Sequence, residues 1–310
     1  MVFREPAYLR FHAASELTRR ADRARARLAS CDLCGRRCRV DRHVQRGVCG
    51  IGVQARLASW GPHHGEEAPL SGWRGSGTVF FGSCNLRCVY CQNYSISQTL
   101  ADEEVPPEYL AEVMLDLQRR GCHNINLVSP SHVVAPILEA LVLAAKAGLH
   151  LPLVYNTGGY DSPEALALLD GVIDIYMPDM KYASTAVARR LSKVLDYPTV
   201  NRAAVREMHR QVGDLALDED GLAVRGLLVR HLVLPQGLAG TSDILRFLAQ
   251  EISKDTYLNL MDQYHPAHRA WGEPALRRRI LPEEYRDALE AAWAAGLRRL
   301  DGGDLRRWIG

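Results

Sequence analysis

The chain has 310 residues, a formal net charge of +2, and 47 % apolar against 24 % charged residues, the make-up of an ordinary globular protein. So small a charge argues against a nucleic-acid partner, and no run approaches the ~20 apolar residues that span a bilayer. The opening MVFREPAYLR lacks the apolar core of a signal peptide, so the chain reads as cytoplasmic, without a membrane partner, where cysteines serve metals or catalysis more than disulfides.

Residues 1–75 show no βα rhythm and read as an N-terminal helix followed by a Cys-rich module. Arginines crowd 19–46 (RRADRARARL, then CGRRCRVDRHVQR), predicting a solvated helix face and a positively charged loop. Cys31, Cys34, Cys38 and Cys49 follow a C-x2-C-x3-C-x10-C spacing. Four thiolates make a closed site for zinc or an iron–sulfur cluster. A module with so little core of its own would be folded largely by that metal. His63 and His64 (GPHHGEE) read as part of a solvated loop.

From 76 to 265, short apolar or β-branched runs alternate with helical patterns. Strands are predicted over 78–83 (TVFFGS), 124–129 (NINLVS), 151–156 (LPLVYN), 172–177 (VIDIYM), 227–234 (LLVRHLVL) and 256–261 (TYLNLM). Apolar residues recur at three and four spacing over 108–120 and 133–147, Ser-Pro-Glu opens a helix at 162, and TSDILRFL opens another at 241. The stretch 184–212 is long enough for two helices, and a turn-like DEDG marks a small excursion before the fifth strand. Residues 266–310 read as a helical extension with a helix over 282–296. Six such units imply an α/β fold, a partial (β/α)6 TIM-type barrel carrying an N-terminal Cys-rich module, with a Rossmann-type sheet as the alternative. Polar and Gly-rich segments follow each strand (GSCN, SPSH, NTGGYD, PDMKY, PQGLAG, DQYHP), where barrels place their active sites.

Leaving the first strand, Cys84, Cys88 and Cys91 are spaced C-x3-C-x2-C. Three thiolates can hold three corners of a [4Fe–4S] cluster and leave the fourth iron open to a small molecule. An open position is the mark of a metal that does chemistry. Cys122, ahead of the second strand, reads as a packed thiol.

The motif CNLRCVYC resembles the cluster motif of the radical S-adenosylmethionine (SAM) enzymes, including the aromatic residue before its last cysteine. The resemblance implies that Cys84, Cys88 and Cys91 ligate a [4Fe–4S] cluster whose open iron binds SAM. Reductive cleavage of SAM there gives a 5′-deoxyadenosyl radical that abstracts hydrogen from a substrate. In order, NINLVSPSH, YNTGGYD, PDMKY, EMHRQVG, RGLLVRHLVLP and LMDQYHP resemble the PflX-like branch, related to pyruvate formate-lyase activating enzyme. The same resemblance places Tyr90 beside the adenine, Asn156 on the ribose hydroxyls, and Asp179, Lys181 and His265 near SAM. Lys181 or Arg230 would offset the SAM carboxylate, the guanidinium being the better bidentate partner. Where many relatives carry Gly-Gly-Glu, this chain has Ser129-Pro130-Ser131-His132, making Ser129 and Ser131 the candidates for the SAM amino group.

The N-terminal CDLCG resembles a rubredoxin-type knuckle, which favours zinc over a second iron–sulfur cluster there. The implied partners are a small-molecule substrate and an electron donor such as flavodoxin or ferredoxin. The alternatives are an activase drawing hydrogen from a glycine of a partner protein, and a non-catalytic iron–sulfur or zinc protein.

Overall fold

The computed structural model describes residues 5–99 and 102–302. Its strands are β1 (Ala55–His63), β2 (Ser76–Phe81), β3 (Glu103–Val105), β4 (Ile125–Val128), β5 (Leu153–Thr157), β6 (Ile175–Pro178), β7 (Ala216–Leu217), β8 (Ala223–Leu232) and β9 (Tyr257–Met261). Six of them, β2, β4, β5, β6, β8 and β9, pair in parallel in chain order. The order never reverses, so the sheet winds one way, as a barrel requires and a doubly wound Rossmann sheet does not. Among the named strands β9 pairs only with β8, which leaves the barrel partial.

Strand alternation sorts the side chains into two layers. Ile125, Leu127, Leu153, Tyr155, Leu227 and Val229 turn outward into the main core with the helices Pro107–Arg119 and Val134–Lys146. Val154, Ile175, Met177 and Leu228 turn inward and form a second cluster with Leu70. Leu70 reaches that cluster from the short helix Ala68–Ser71, and burying such a side chain contributes about 2 kcal/mol. The helix Pro163–Leu169 starts where Ser162 accepts the Ala165 N–H at 3.2 Å, and Ser184 caps Thr185–Ser192 in the same way. The long stretch after it does divide in two, the second helix being Tyr197–Val212. The DEDG turn joins β7 to β8 as an antiparallel hairpin.

Sheet pairing crosses the division expected after residue 75. β1 lies within 1–75 yet pairs antiparallel with β2, and β3 extends the sheet beyond β1. Leu17, Ala21, Ala24 and Leu28, from the N-terminal helices, share the core of Leu138 and Leu141. The N-terminal segment is therefore built into the barrel's core. The crowded arginines pair with carboxylates along the surface: Arg19, Arg20 and Arg23 with Glu16, Arg25 with Glu139, Arg27 and Arg39 with Asp32. Among the described residues no helix is long and apolar enough to cross a membrane.

Candidate active site

Ser83 takes a left-handed conformation (φ 71°) that turns the chain out of β2 into the cysteine loop, and its N–H donates to Ile96 O at 2.8 Å. The Val89 N–H donates to Leu191 O at 2.8 Å, anchoring the loop to the end of the helix Thr185–Ser192. Each sulfur has a nearby polar contact. Cys84 Sγ accepts the Leu86 N–H at 3.3 Å, Cys88 Sγ lies 3.0 Å from Ser192 Oγ, and Cys91 Sγ lies 3.2 Å from Ser97 Oγ. Burial, then the neighbouring Cys88 and Cys91, push the Cys84 thiol up to about 12. Burial also raises Cys88, against the downward pull of Lys181. Three thiols crowd one another where water is scarce, and as thiolates they require a positive centre to offset them. That donor set fits a [4Fe–4S] cluster. Among the described residues no three Cys, His, Asp or Glu converge as ligands of a single ion. A multi-iron cluster makes no such demand, because its thiolates sit on different irons.

Around this loop the strand ends bring several polar groups together. Asp179 Oδ2 accepts Lys181 Nζ at 2.6 Å, and Lys181 lies close enough to Cys88 and Tyr90 to feel both. The turn carrying this pair is pinned from behind. Tyr197 Oη donates to Asp179 O and Gly158 O, and Asn201 Nδ2 donates to Asp179 O and Gly159 O, all between 2.9 and 3.0 Å. Ser129 is half-buried with φ 59°, its N–H donating to Asn156 O at 2.8 Å. His265 Nδ1 lies 3.2 Å from Gln92 Nε2, beside Cys91. Tyr90 is buried edge-to-face against Tyr182 and Tyr264, with centroids 6.3 and 5.9 Å away. It is one ring of an aromatic wall that continues through Tyr197 to Tyr160.

Two of the expected SAM groups are engaged within the protein. Ser131 is 1 % exposed, and its hydroxyl pairs at 2.8 Å with Thr157 Oγ1, which in turn bonds Asp161. It belongs to a closed internal network and presents nothing to a ligand. Arg230 is no free guanidinium for a SAM carboxylate. Its Nε and Nη2 donate to Glu67 Oε1 and Oε2 at 2.5 and 2.6 Å, and Nη2 also reaches Glu66 Oε2 at 2.5 Å. Asn156, expected on the ribose, lies 3.5 Å from Arg230 Nη1 through Oδ1. Glu66 and Glu67 had no signal in the sequence beyond their place in GPHHGEE, and the same segment puts His63 at the end of β1.

The four-cysteine module is wedged against the cysteine loop. Arg39 N–H donates to Cys31 O and Cys31 N–H to Val40 O, forming a tight hairpin. Burial, then Cys49, push the Cys34 thiol up to about 12, and burial raises Cys49 against the pull of Arg42. Arg42 Nη1 lies 3.8 Å from Cys31 Sγ and donates to His132 O at 2.8 Å. Gly35 N–H and Asn85 Nδ2 both donate to Tyr160 O, at 2.9 and 2.8 Å, and Ser83 Oγ donates to Cys49 O. Since Ser83 and Asn85 flank Cys84, the two thiol groups are tied together through the residues on either side of it. At Gly35 any Cβ would enter the Tyr160 ring, so this docking requires glycine.

Fold and site together define a partial α/β barrel protein with a three-thiol centre at the C-terminal ends of its strands. The sequence profile of the Radical SAM superfamily matches residues 78–211. The uncharacterized protein MJ0674 of Methanocaldococcus jannaschii is 33 % identical over 273 residues, covering 85 % of this chain and 74 % of that protein. MJ0808 of the same organism, also uncharacterized, is 23 % identical over 266 residues, covering 79 % of this chain and 73 % of that one. Among solved structures, Streptococcus suis SuiB bound to S-adenosylmethionine aligns with a TM-score of 0.48 at 11 % identity, over 73 % of this chain and 50 % of SuiB. This chain thus matches about half the length of SuiB. The chain belongs to the radical SAM superfamily, in one family with MJ0674.

Proposed function

We propose that this protein is a radical SAM enzyme of the PflX-like branch that abstracts hydrogen from a small-molecule substrate. When bound, the cluster supplies the electron that cleaves SAM. Cys84, Cys88 and Cys91 hold that cluster, and the crowding of their thiols on one loop at the barrel mouth carries the proposal. Lys181 gives one N–H to Asp179 and keeps two for the SAM carboxylate, whereas the Arg230 guanidinium is taken up by both Glu66 and Glu67. Asp179 orients that lysine, Ser129 and His265 border the ligand, and the aromatic wall behind Tyr90 keeps water from the reacting centre. Cys31, Cys34, Cys38 and Cys49 supply four thiols to a second centre that clamps the cysteine loop from one side; as no three of them converge on a single ion, an iron–sulfur cluster suits them better than the zinc that CDLCG suggests. Metal and sulfide analysis of a Cys84→Ala/Cys88→Ala/Cys91→Ala variant separates the two metals, since only the N-terminal centre survives. Substrate is identified by transfer of deuterium from a labelled candidate into 5′-deoxyadenosine during anaerobic turnover; unlabelled product with every abstractable position labelled rules that candidate out.

A further inference from the structure

Below the cysteine loop, the barrel's inner face carries polar groups that nothing above employs. Asn126 lies between the outward-facing Ile125 and Leu127, so alternation points it inward. Two residues earlier, just before β4, Asn124 Nδ2 donates at 2.9 Å to the carbonyl of Leu70, a member of the inner cluster. Asn126 is 0 % exposed, yet neither its Nδ2 nor its Oδ1 has a hydrogen-bond partner. Buried amides are rarely left so, which points to a ligand that completes them.

The second observation is charge. The side chains of Glu66 and Glu67 are 5 % and 0 % exposed, and both face the single guanidinium of Arg230. Burial favours a neutral Glu67, but Arg230 overrides it and holds the carboxyl below the usual carboxylate range. Two carboxylates face one guanidinium, and His63 Nδ1 lies 3.2 Å from Glu66 Oε1 on the more exposed side, so with the imidazole uncharged one excess negative charge remains beside Arg230. Asn259 Nδ2 adds a donor to Glu67 at 2.7 Å, and Asn156 Oδ1 faces Arg230, so the amides solvate the ion group without neutralising it. The neighbouring Asp179 and Lys181 cancel each other. Position completes the case: Asp179 bridges to Arg230 across the strands, and its partner Lys181 lies near Cys88, so the ion group adjoins the residues beside the cysteine loop.

Building on the radical SAM function above, we propose that this interior is the substrate subsite and takes a small molecule bearing an ammonium group. Glu66 and Glu67 hold the nitrogen, and Asn126 Oδ1 accepts a further N–H from it. A cation cancels the excess charge. An anion would meet two carboxylates while Arg230 is occupied.

Methylammonium chloride, the smallest member of this class, is titrated into the reconstituted holoprotein while thermal unfolding is followed. Methanol serves as the uncharged isostere and potassium chloride as the ionic control. A saturable rise in Tm is expected with methylammonium alone, weakened roughly tenfold or more in affinity by Glu66→Gln and lost in Asn126→Leu. Circular dichroism and retained cluster absorbance show that each variant is folded, and Glu66→Gln carries the test if Asn126→Leu is not. No saturable rise in the wild type, an equal rise with potassium, or undiminished binding in the folded variants overturns the proposal. Cleavage of SAM by the wild type is scored in parallel. Its absence overturns the radical SAM assignment whatever methylammonium does, whereas cleavage without methylammonium binding overturns only the ammonium subsite.

Discussion

Asp174 shows how much one buried group contributes at the residue scale. Its carboxylate accepts the N–H groups of Ala7 and Leu153 at 2.8 and 3.0 Å, joining the N-terminal helix to β5. Burial pushes its pKa up to about 6, although those two N–H groups pull the other way. Between the unfolded value of ~3.9 and that folded value, the native state keeps a proton that the unfolded chain has lost. Stability from this group is therefore greatest at low pH and falls as pH rises through 6. We expect urea unfolding to show about 1 kcal/mol lost between pH 5 and pH 7, and Asp174→Asn to abolish that part of the slope. At the mouth, Lys181→Gln is expected to weaken SAM binding by roughly tenfold or more in equilibrium dialysis, through loss of the half-buried cation. Unchanged affinity would transfer the carboxylate-binding role to another group. Single residues differ in how far their spacing reveals them. Three cysteines in eight residues declare a cluster from the sequence alone, because the ligands are local. Glu66, Glu67 and Asn126 matter only through the strands they face, and Arg230 looked free until its two carboxylates arrived from 163 and 164 residues away.

Elements were legible in proportion to their burial. The six parallel strands are short apolar runs covered on both faces, so composition exposes them. β1 was missed because Arg56, Ser59, Gly61 and Pro62 break its alternation, and it is a strand only because β2 pairs with it. β3 and β7, of three and two residues, are too short for any periodicity. The turn after β5 depends on Gly159, whose φ is +71° and whose Cβ, if present, would land on the Asn201 amide and the Asp179 carbonyl. Gly159→Ala is expected to cost about 2–4 kcal/mol and to weaken SAM binding in parallel, since Asn201 braces the turn carrying Asp179 and Lys181. A variant with wild-type Tm would show that the turn relaxes and that the bracing is dispensable.

For the whole molecule, the order of the barrel strands followed from the alternation of elements, while β1 pairs with β2 across the boundary expected after residue 75. Composition changes sharply there, but the core does not: the N-terminal helices pack under the same sheet. The four-cysteine module is accordingly a clamp on the barrel rather than an appendage. Cys34→Ser is expected to release the proposed metal, lower Tm by several degrees and loosen the cysteine loop through Gly35, Ser83 and Asn85. Loss of metal with an unchanged Tm would show that the clamp is not structural. The most direct test of the chemistry is anaerobic reconstitution of wild type and Cys88→Ala, followed by assay for 5′-deoxyadenosine with SAM and dithionite. Wild type should form it, and Cys88→Ala should lose cluster and product together. Product from the variant, or none from a wild type with a full cluster, contradicts a radical generated at these three thiolates.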